Sequence, residues 1–298
     1  MEDLNALLKQ HRDLQRALPH AWAAFFARFG SLRPIQLKTI PVVLNRQNVL
    51  VMAPTAGGKT EAAVAPVCER LVSERWDGLN VLVITPTRAL VNDLYERLQG
   101  PCLAMNVRLG RKTADHPLPT RPDCRILITT PESTESLLTF KRVHLNNLKV
   151  IILDEIHLLN GTPRGDQMRC ILARIERYLR HVQGADFKGL QRIAMSATVA
   201  DPRTLSNAYL GEDAAIVPVG GQRAIQSKII LASGDDVARA GAAIAAVESF
   251  TDVQKILVFV NSRKQVDVGA KWFRTGAFSN CPVYAHHGNL SKDVREDA

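Results

Sequence analysis

The sequence predicts an α/β protein, a parallel β-sheet flanked by helices, followed by a second and incomplete unit of the same kind. Three observations carry that expectation. Short β-branched runs alternate with stretches of helical periodicity, the pattern of strands buried on both faces of a parallel sheet. One such run, residues 48–52 (NVLVM), passes directly into a glycine-containing turn and then into an alanine-rich helical stretch. After Gly220 and Gly221 the alternation starts again, and it stops at Ala298 in what reads as the middle of a helix.

Size and composition bound the possibilities. A chain of 298 residues accommodates two domains, and 46% apolar with 22% charged residues is ordinary globular composition. No apolar stretch approaches the ~20 residues of a membrane span, and the polar start MEDLNALLKQ is not a secretory signal. The five cysteines are scattered and never paired as CxxC, which argues against a disulfide framework and a zinc site and for a reducing, cytoplasmic compartment. A net charge of +9 suits a polyanionic partner, with the basic residues dispersed rather than gathered in a tail.

Taken in order, residues 1–30 read as a helical segment with Leu4, Leu7, Leu8, Leu14 and Leu18 near helical spacing. Trp22, Phe25, Phe26 and Phe29 have a bland reading, a helix face packed on the next domain, and a sharper one, an aromatic platform for a flat ring. Residues 31–221 form the first α/β domain. Its candidate strands are 49–52, 81–85, 126–129, 150–154, 192–196 and 215–219, with helical stretches at 61–74, 90–100, 133–140, 167–182 and 203–210. Residues 161–166 read as a loop. Arg169, Arg174, Arg177 and Arg180 on the stretch after it read as a solvated helix face.

The turn behind the first strand has chemistry. Ala53, Pro54, Thr55, Ala56, Gly57, Gly58, Lys59 and Thr60 fit the phosphate-loop pattern, with Ala53 where glycine is more usual. Gly57 and Gly58 let successive N–H groups turn toward phosphate oxygens, and the helix opening near Lys59 adds its positive dipole end. Lys59 would reach the β- and γ-phosphates and the Thr60 hydroxyl would hold Mg²⁺. Later strands end in polar clusters as well: Pro86, Thr87 and Arg88; Thr130, Pro131 and Glu132; Asp154, Glu155 and His157; Ser196, Ala197 and Thr198. Four such clusters behind one phosphate loop make a working edge, because sites of parallel sheets sit at strand carboxyl ends. Asp154 would contact Mg²⁺, directly or through water, and Glu155 would orient the attacking water.

Residues 222–298 restart the pattern, with strand-like runs at 229–231, 256–260 and 282–285 and helical stretches at 237–250 and 264–273. His286 and His287 lack a Cys or carboxylate at zinc-ligand spacing, so a metal site there is discounted.

In this order the motifs resemble those of superfamily-two helicases of the DExH-box branch, most nearly the large helicase-related (Lhr-type) proteins, which are similar to the Ski-type family. The resemblance runs from about Arg33 to the end of the chain. It implies two RecA-like domains of P-loop type, ATP and Mg²⁺ as cofactors, and single-stranded or tailed DNA or RNA as partner. It places Gln36 at the adenine edge and Thr55 to Thr60 around the phosphates. Lys59, Asp154, Glu155 and His157 then form the catalytic set, with Thr60 and Asp154 on the metal. Pro86, Thr87, Arg88, Thr130, Pro131 and Glu132 would touch the strand from the first domain, and Asn261, Arg263, His287 and Gly288 from the second. Ser196, Ala197 and Thr198 would couple hydrolysis to domain movement. The stretch GTPRG at 161–165 points to the Lhr-type group.

Two departures temper the expectation. Residues 109–114 (LGRKTA) replace an acidic turn, and the sequence ends before the family's last two motifs, which supply an arginine finger. An ATP-driven helicase or translocase is therefore weighed against a module that binds ATP and nucleic acid with little turnover until a partner chain completes it. Residues from about Gln222 onward are expected to be mobile or to rely on that partner. An unrelated P-loop ATPase fits less well, given Pro86 to Leu90 and Ser196 to Thr198.

Overall fold

The structure, a computed structural model, describes residues 2–54, 57–117, 123–220, 229–231, 236–249, 256–275 and 281–285. The chain divides into two compact units, Met1–Gln222 and Arg223–Ala298.

The first unit is built on seven parallel strands: β1 Val49–Met52, β2 Val81–Ile84, β3 Leu109–Lys112, β4 Ile126–Thr129, β5 Val150–Leu153, β6 Gln191–Ser196 and β7 Ala215–Pro218. Their order is β3-β4-β2-β5-β6-β1-β7. Successive strand residues point to opposite faces, and the core divides accordingly. Val49, Val51, Val81, Val83, Ile126 and Ile128 pack on one side of the sheet. Leu50, Met52, Leu82, Ile84, Leu127 and Ile151 pack on the other. Helices α1 Glu2–Ala17, α2 Ala21–Phe25, α3 Pro34–Leu44, α4 Lys59–Ser73 and α5 Arg88–Ala104 cover the first face. Helices α6 Pro131–Phe140, α7 Pro163–Gln183 and α8 Pro202–Tyr209 cover the second.

The N-terminal helices share this core. Leu14, Leu18, Phe25 and Phe26 are buried in it. The buried Glu69 carboxylate of α4 holds α2 in place, accepting the His20 and Ala21 N–H groups at 2.9 and 2.8 Å and meeting His20 Nδ1 at 2.6 Å. An acid at a helix start is favoured by the exposed amides and the dipole. Among the described residues no helix is long and apolar enough to cross a membrane.

Three expectations need correction. The loop expected at 161–166 is already helix from Pro163. Thr162 caps α7 by accepting the Gly165 N–H at 3.2 Å, and proline suits the first helical turn. Gly165 reads as a loop residue but is there for packing, since a Cβ would collide with the Leu159 carbonyl and lie 2.7 Å from the Tyr209 hydroxyl. The LGRK run expected as part of a turn is instead β3, an edge strand paired with β4.

In the second unit the helices are α9 Asp236–Glu248 and α10 Arg263–Thr275. The runs 229–231, 256–260 and 282–285 form no strand, a correction to the expected restart of the sheet. A strand exists only by pairing with a neighbour, and these runs have no ladder partner among the described residues; Leu231, Leu257 and Phe259 are 95%, 82% and 89% exposed. A second RecA-like sheet is thus not resolved here.

Candidate functional site

All seven strands run parallel, so their carboxyl ends gather on one edge. There the turn after β1 leads into α4. Gly58 has φ +87°, and a Cβ on it would come 2.7 Å from Gln36 Nε2; one on Gly57 would come 2.9 Å from the Pro54 carbonyl oxygen. Only glycine fits this close turn. Thr55 and Ala56 lie outside the described residues.

Lys59 is nearly buried and donates to the Ala53 carbonyl at 2.8 Å, with Glu155 Oε1 3.7 Å from its Nζ. Its ammonium thus stands between the phosphate loop and the end of β5. Asp154 is pushed up to about 6, first by burial and then by the neighbouring Glu155 charge, with Lys59 opposing both. Glu155 takes a left-handed backbone, φ +44°, uncommon for a residue with a side chain. Its Oε2 is buried without a hydrogen-bond donor. The nearest group, His157 Nδ1 at 3.3 Å, itself accepts the Ala197 N–H at 3.3 Å, so two acceptors face each other there. That bond joins Asp154–His157 to the Ser196–Thr198 stretch through one hydrogen bond. The Ser196 hydroxyl is buried and without a partner.

The remaining wall is made by α3 and α5. Gln36 accepts the Arg33 N–H at 2.8 Å and places Nε2 3.5 Å from the Gly58 carbonyl, bracing the loop from the side opposite Lys59. Phe29 is half-exposed at the rim, with the Arg28 guanidinium 4.6 Å from its ring centroid. From α5, Arg97 reaches to 3.4 Å of the Thr60 hydroxyl and 3.5 Å of both Glu61 and Asp93. These groups enclose a cleft of about 450 Å³. Its donor set suits Mg²⁺: a hydroxyl, a desolvated carboxylate and an undonated carboxylate oxygen, with phosphate and water to complete the shell. Among the described residues no three His, Cys, Asp or Glu side chains form a metal cage.

Farther along the edge, Thr87 and Thr130 cap α5 and α6, accepting the Leu90 and Ser133 N–H groups at 3.3 Å each. Each hydroxyl thus accepts at a helix start, and the helix N-termini at this edge favour phosphate. Arg88 is exposed and pairs with Asp115 at 3.2 Å. Glu132 pairs with Arg164 at 2.8 Å, and the same guanidinium donates to the Pro86 carbonyl at 2.7 Å. Arg164 therefore ties the two expected strand-contacting turns to α7. The contacts of Arg97 and Arg164 are not legible in the sequence, because both act on residues distant in the chain. Arg164→Ala is expected to loosen both turns and weaken oligonucleotide binding by about 3- to 30-fold, the scale of roughly 0.6 to 2 kcal/mol, with ATP affinity unchanged; fluorescence anisotropy and a nucleotide titration check this. In the second unit, Asn261 is exposed and Arg263 begins α10, whose start is capped by the Ser262 hydroxyl accepting the Gln265 N–H at 3.2 Å. His287 and Gly288 lie outside the described residues.

Residues 33–205 match the family model described as DEAD/DEAH box helicase. The chain belongs to that family. Among individual proteins, this DEAD/DEAH box helicase chain is 28% identical to the ATP-dependent helicase Lhr-Core of Saccharolobus solfataricus, over 94% of the chain and 35% of the relative. It is 31% identical to the Lhr helicase/uracil glycosylase of Escherichia coli, over 72% of the chain and 15% of the relative. Among solved structures, Mycobacterium smegmatis helicase Lhr bound to ssDNA and AMP-PNP superposes with a TM-score of 0.78 at 25% identity, covering 93% of this chain and 39% of that one. The chain is thus an Lhr-type homologue that spans little more than a third of these relatives' lengths or less.

Proposed function

We propose that this chain is an ATP- and nucleic-acid-binding motor module of the Lhr type, in which ATP binding alters the grip on a single strand. The observation that carries it is the meeting of Lys59, Asp154 and Glu155 within one cleft at the edge that also holds the turns expected to touch a strand. Lys59 and the loop amides would hold the β- and γ-phosphates. Thr60 and Asp154 would hold Mg²⁺, which neutralises phosphate charge. Glu155, whose Oε2 has no donor, is placed to accept a proton of the attacking water. Gln36 would read the adenine edge and Phe29 would cover the ring. Ala197, through His157, would transmit the state of the phosphate to β6.

Among the described residues those lining this cleft fall between Phe29 and Glu155. They would hold ATP from the first unit, and turnover by this chain alone is expected to be slow. Fast hydrolysis would require a second wall, from residues beyond 222 or from a partner chain, and helicase activity proper rests on that closure. The partner strand is DNA or RNA in single-stranded or tailed form. Two measurements on the intact chain test the reading. A fluorescent ATP analogue should bind with Mg²⁺, and an oligonucleotide should bind with an affinity that falls steeply as salt rises, by about 0.7 in log–log slope per phosphate gripped. Absence of either binding, or binding independent of salt, refutes it.

A further inference from the structure

Helix α7 carries five arginines against two carboxylates. Glu176, the carboxylate in its second half, is already engaged by Arg180 and Arg192. Arg174, Arg177, Tyr178 and His181 follow at i, i+3, i+4 and i+7 and so share one face. Leu138 of α6 and Arg142, in the turn after it, close that face into a cavity of about 400 Å³. No carboxylate lines it. Glu135 reaches Arg174 at 2.9 Å, but Arg177 and His181 have no carboxylate partner among the described residues. The aromatic ring is held in place: Tyr178 donates to Asn146 Oδ1 at 2.5 Å, and the Arg142 guanidinium lies 5.6 Å from its centroid. Phe140 and Val143 beside it are 80% and 61% exposed.

Like charges spaced along one helix face repel, and this face keeps two guanidinium groups, with that of Arg142 added across the cavity beside the apolar Leu138. Planar cations beside an aromatic surface match a phosphodiester carrying a stackable base. An acidic peptide would satisfy the charges, but the position favours a strand. Helix α6 begins at the candidate strand-contacting residues Thr130 and Pro131 and ends at this cavity. Its ten residues span roughly 15 Å, about four stacked nucleotides.

We propose that the cavity between α6 and α7 is a second contact for single-stranded nucleic acid, with Arg142, Arg174 and Arg177 taking phosphate oxygens and Tyr178 backing a base. The inference rests on the nucleic-acid reading above. It extends the strand from the sheet edge down the flank of the domain.

The test uses the full chain and fluorescein-labelled oligothymidylates of about five and about fifteen nucleotides, within the range of single-strand site sizes. The R142E/R177E double variant should bind the long oligonucleotide about tenfold or more weakly at low salt, with a log–log salt slope shallower by one to two. The short oligonucleotide, covered by the sheet-edge contacts, should bind as to the wild type. A double variant of equal charge change at exposed sites elsewhere, R12E/R203E, should keep most of the long-oligonucleotide affinity. The proposal is overturned if both doubles lose affinity alike, if R142E/R177E changes neither affinity nor slope, or if the short oligonucleotide is lost equally. It is also overturned if the substitutions abolish binding of polyglutamate while leaving oligonucleotide binding intact. Failure of the wild type to bind either oligonucleotide removes the nucleic-acid reading itself; wild-type binding with an unaffected double variant removes only the cavity. All four substituted positions in the comparison are judged on proteins whose thermal melts match the wild type, with Arg142→Ala and Arg177→Ala replacing the reversals if these unfold.

Discussion

Lys59→Ala should weaken binding of ATP·Mg²⁺ by about 10- to 100-fold, the loss of one or two charge-assisted bonds to phosphate. Any turnover should fall by about 100-fold or more, since the ammonium is aimed where charge develops. The same change has a structural cost. Lys59 donates to Ala53 and stands 3.7 Å from Glu155, so its removal leaves the loop carbonyl undonated and two partly buried acids without their cation. Lys59→Gln separates the two effects. The amide keeps a donor for the Ala53 carbonyl but carries no charge, so nucleotide binding should be lost nearly as fully while the melting temperature lies above that of Lys59→Ala. Titration with a fluorescent ATP analogue and parallel thermal melts read both. Unchanged nucleotide affinity in either variant would remove Lys59 from the site.

How far the sequence anticipates this arrangement depends on where each signal resides. β1, β2, β4 and β5 are legible because each is a short β-branched run buried on both faces, and burial writes itself as hydrophobicity, while β6 shows only its apolar Ile-Ala-Met centre. β3 is half-buried along its whole length and holds Leu-Gly-Arg-Lys, so neither alternation nor an apolar run marks it. The apolar runs of the second unit mislead for the opposite reason: hydrophobicity proposes a strand, but only a partner makes one. In the site, Lys59, Asp154 and Glu155 are legible because a phosphate cradle and a metal ligand require specific residue types at specific strand ends. Arg97 and Arg164 are not. Arg97 meets Thr60 across 37 positions and Arg164 meets Pro86 across 78, and no local pattern encodes an arginine's long-range partner. Thr87 and Thr130 carry a structural role that the sequence did not suggest, since their hydroxyls cap helices by accepting the Leu90 and Ser133 N–H groups.

Asp154→Asn should make the nucleotide-free protein more stable at neutral pH while removing its response to Mg²⁺. The folded-state pKa of Asp154 is about 6, above the ordinary 3.8, so the folded protein holds this proton more tightly than the unfolded chain does. The stability linked to it is present in full below the unfolded value. It is lost as pH rises through about 6, reaching a cost of about 2 to 3 kcal/mol for the ionised group at neutral pH. Asparagine has nearly the same shape and no charge, so the cost disappears. Near pH 7.5 the variant's melting temperature should exceed the wild type's by roughly 5–10 °C, and the difference should shrink toward zero near pH 4. With Mg²⁺ and an ATP analogue the order should reverse, because the wild-type carboxylate gains a cation and the amide offers a poorer ligand. A variant that melts below the wild type at pH 7.5 would mean that Asp154 is already compensated in the empty site. A variant that is still stabilised by Mg²⁺ beyond nucleotide alone, as much as the wild type is, would mean that the metal sits elsewhere. The crossover depends on both the burial of Asp154 and its role toward the metal, so one pair of melting curves with and without Mg²⁺ tests the two together.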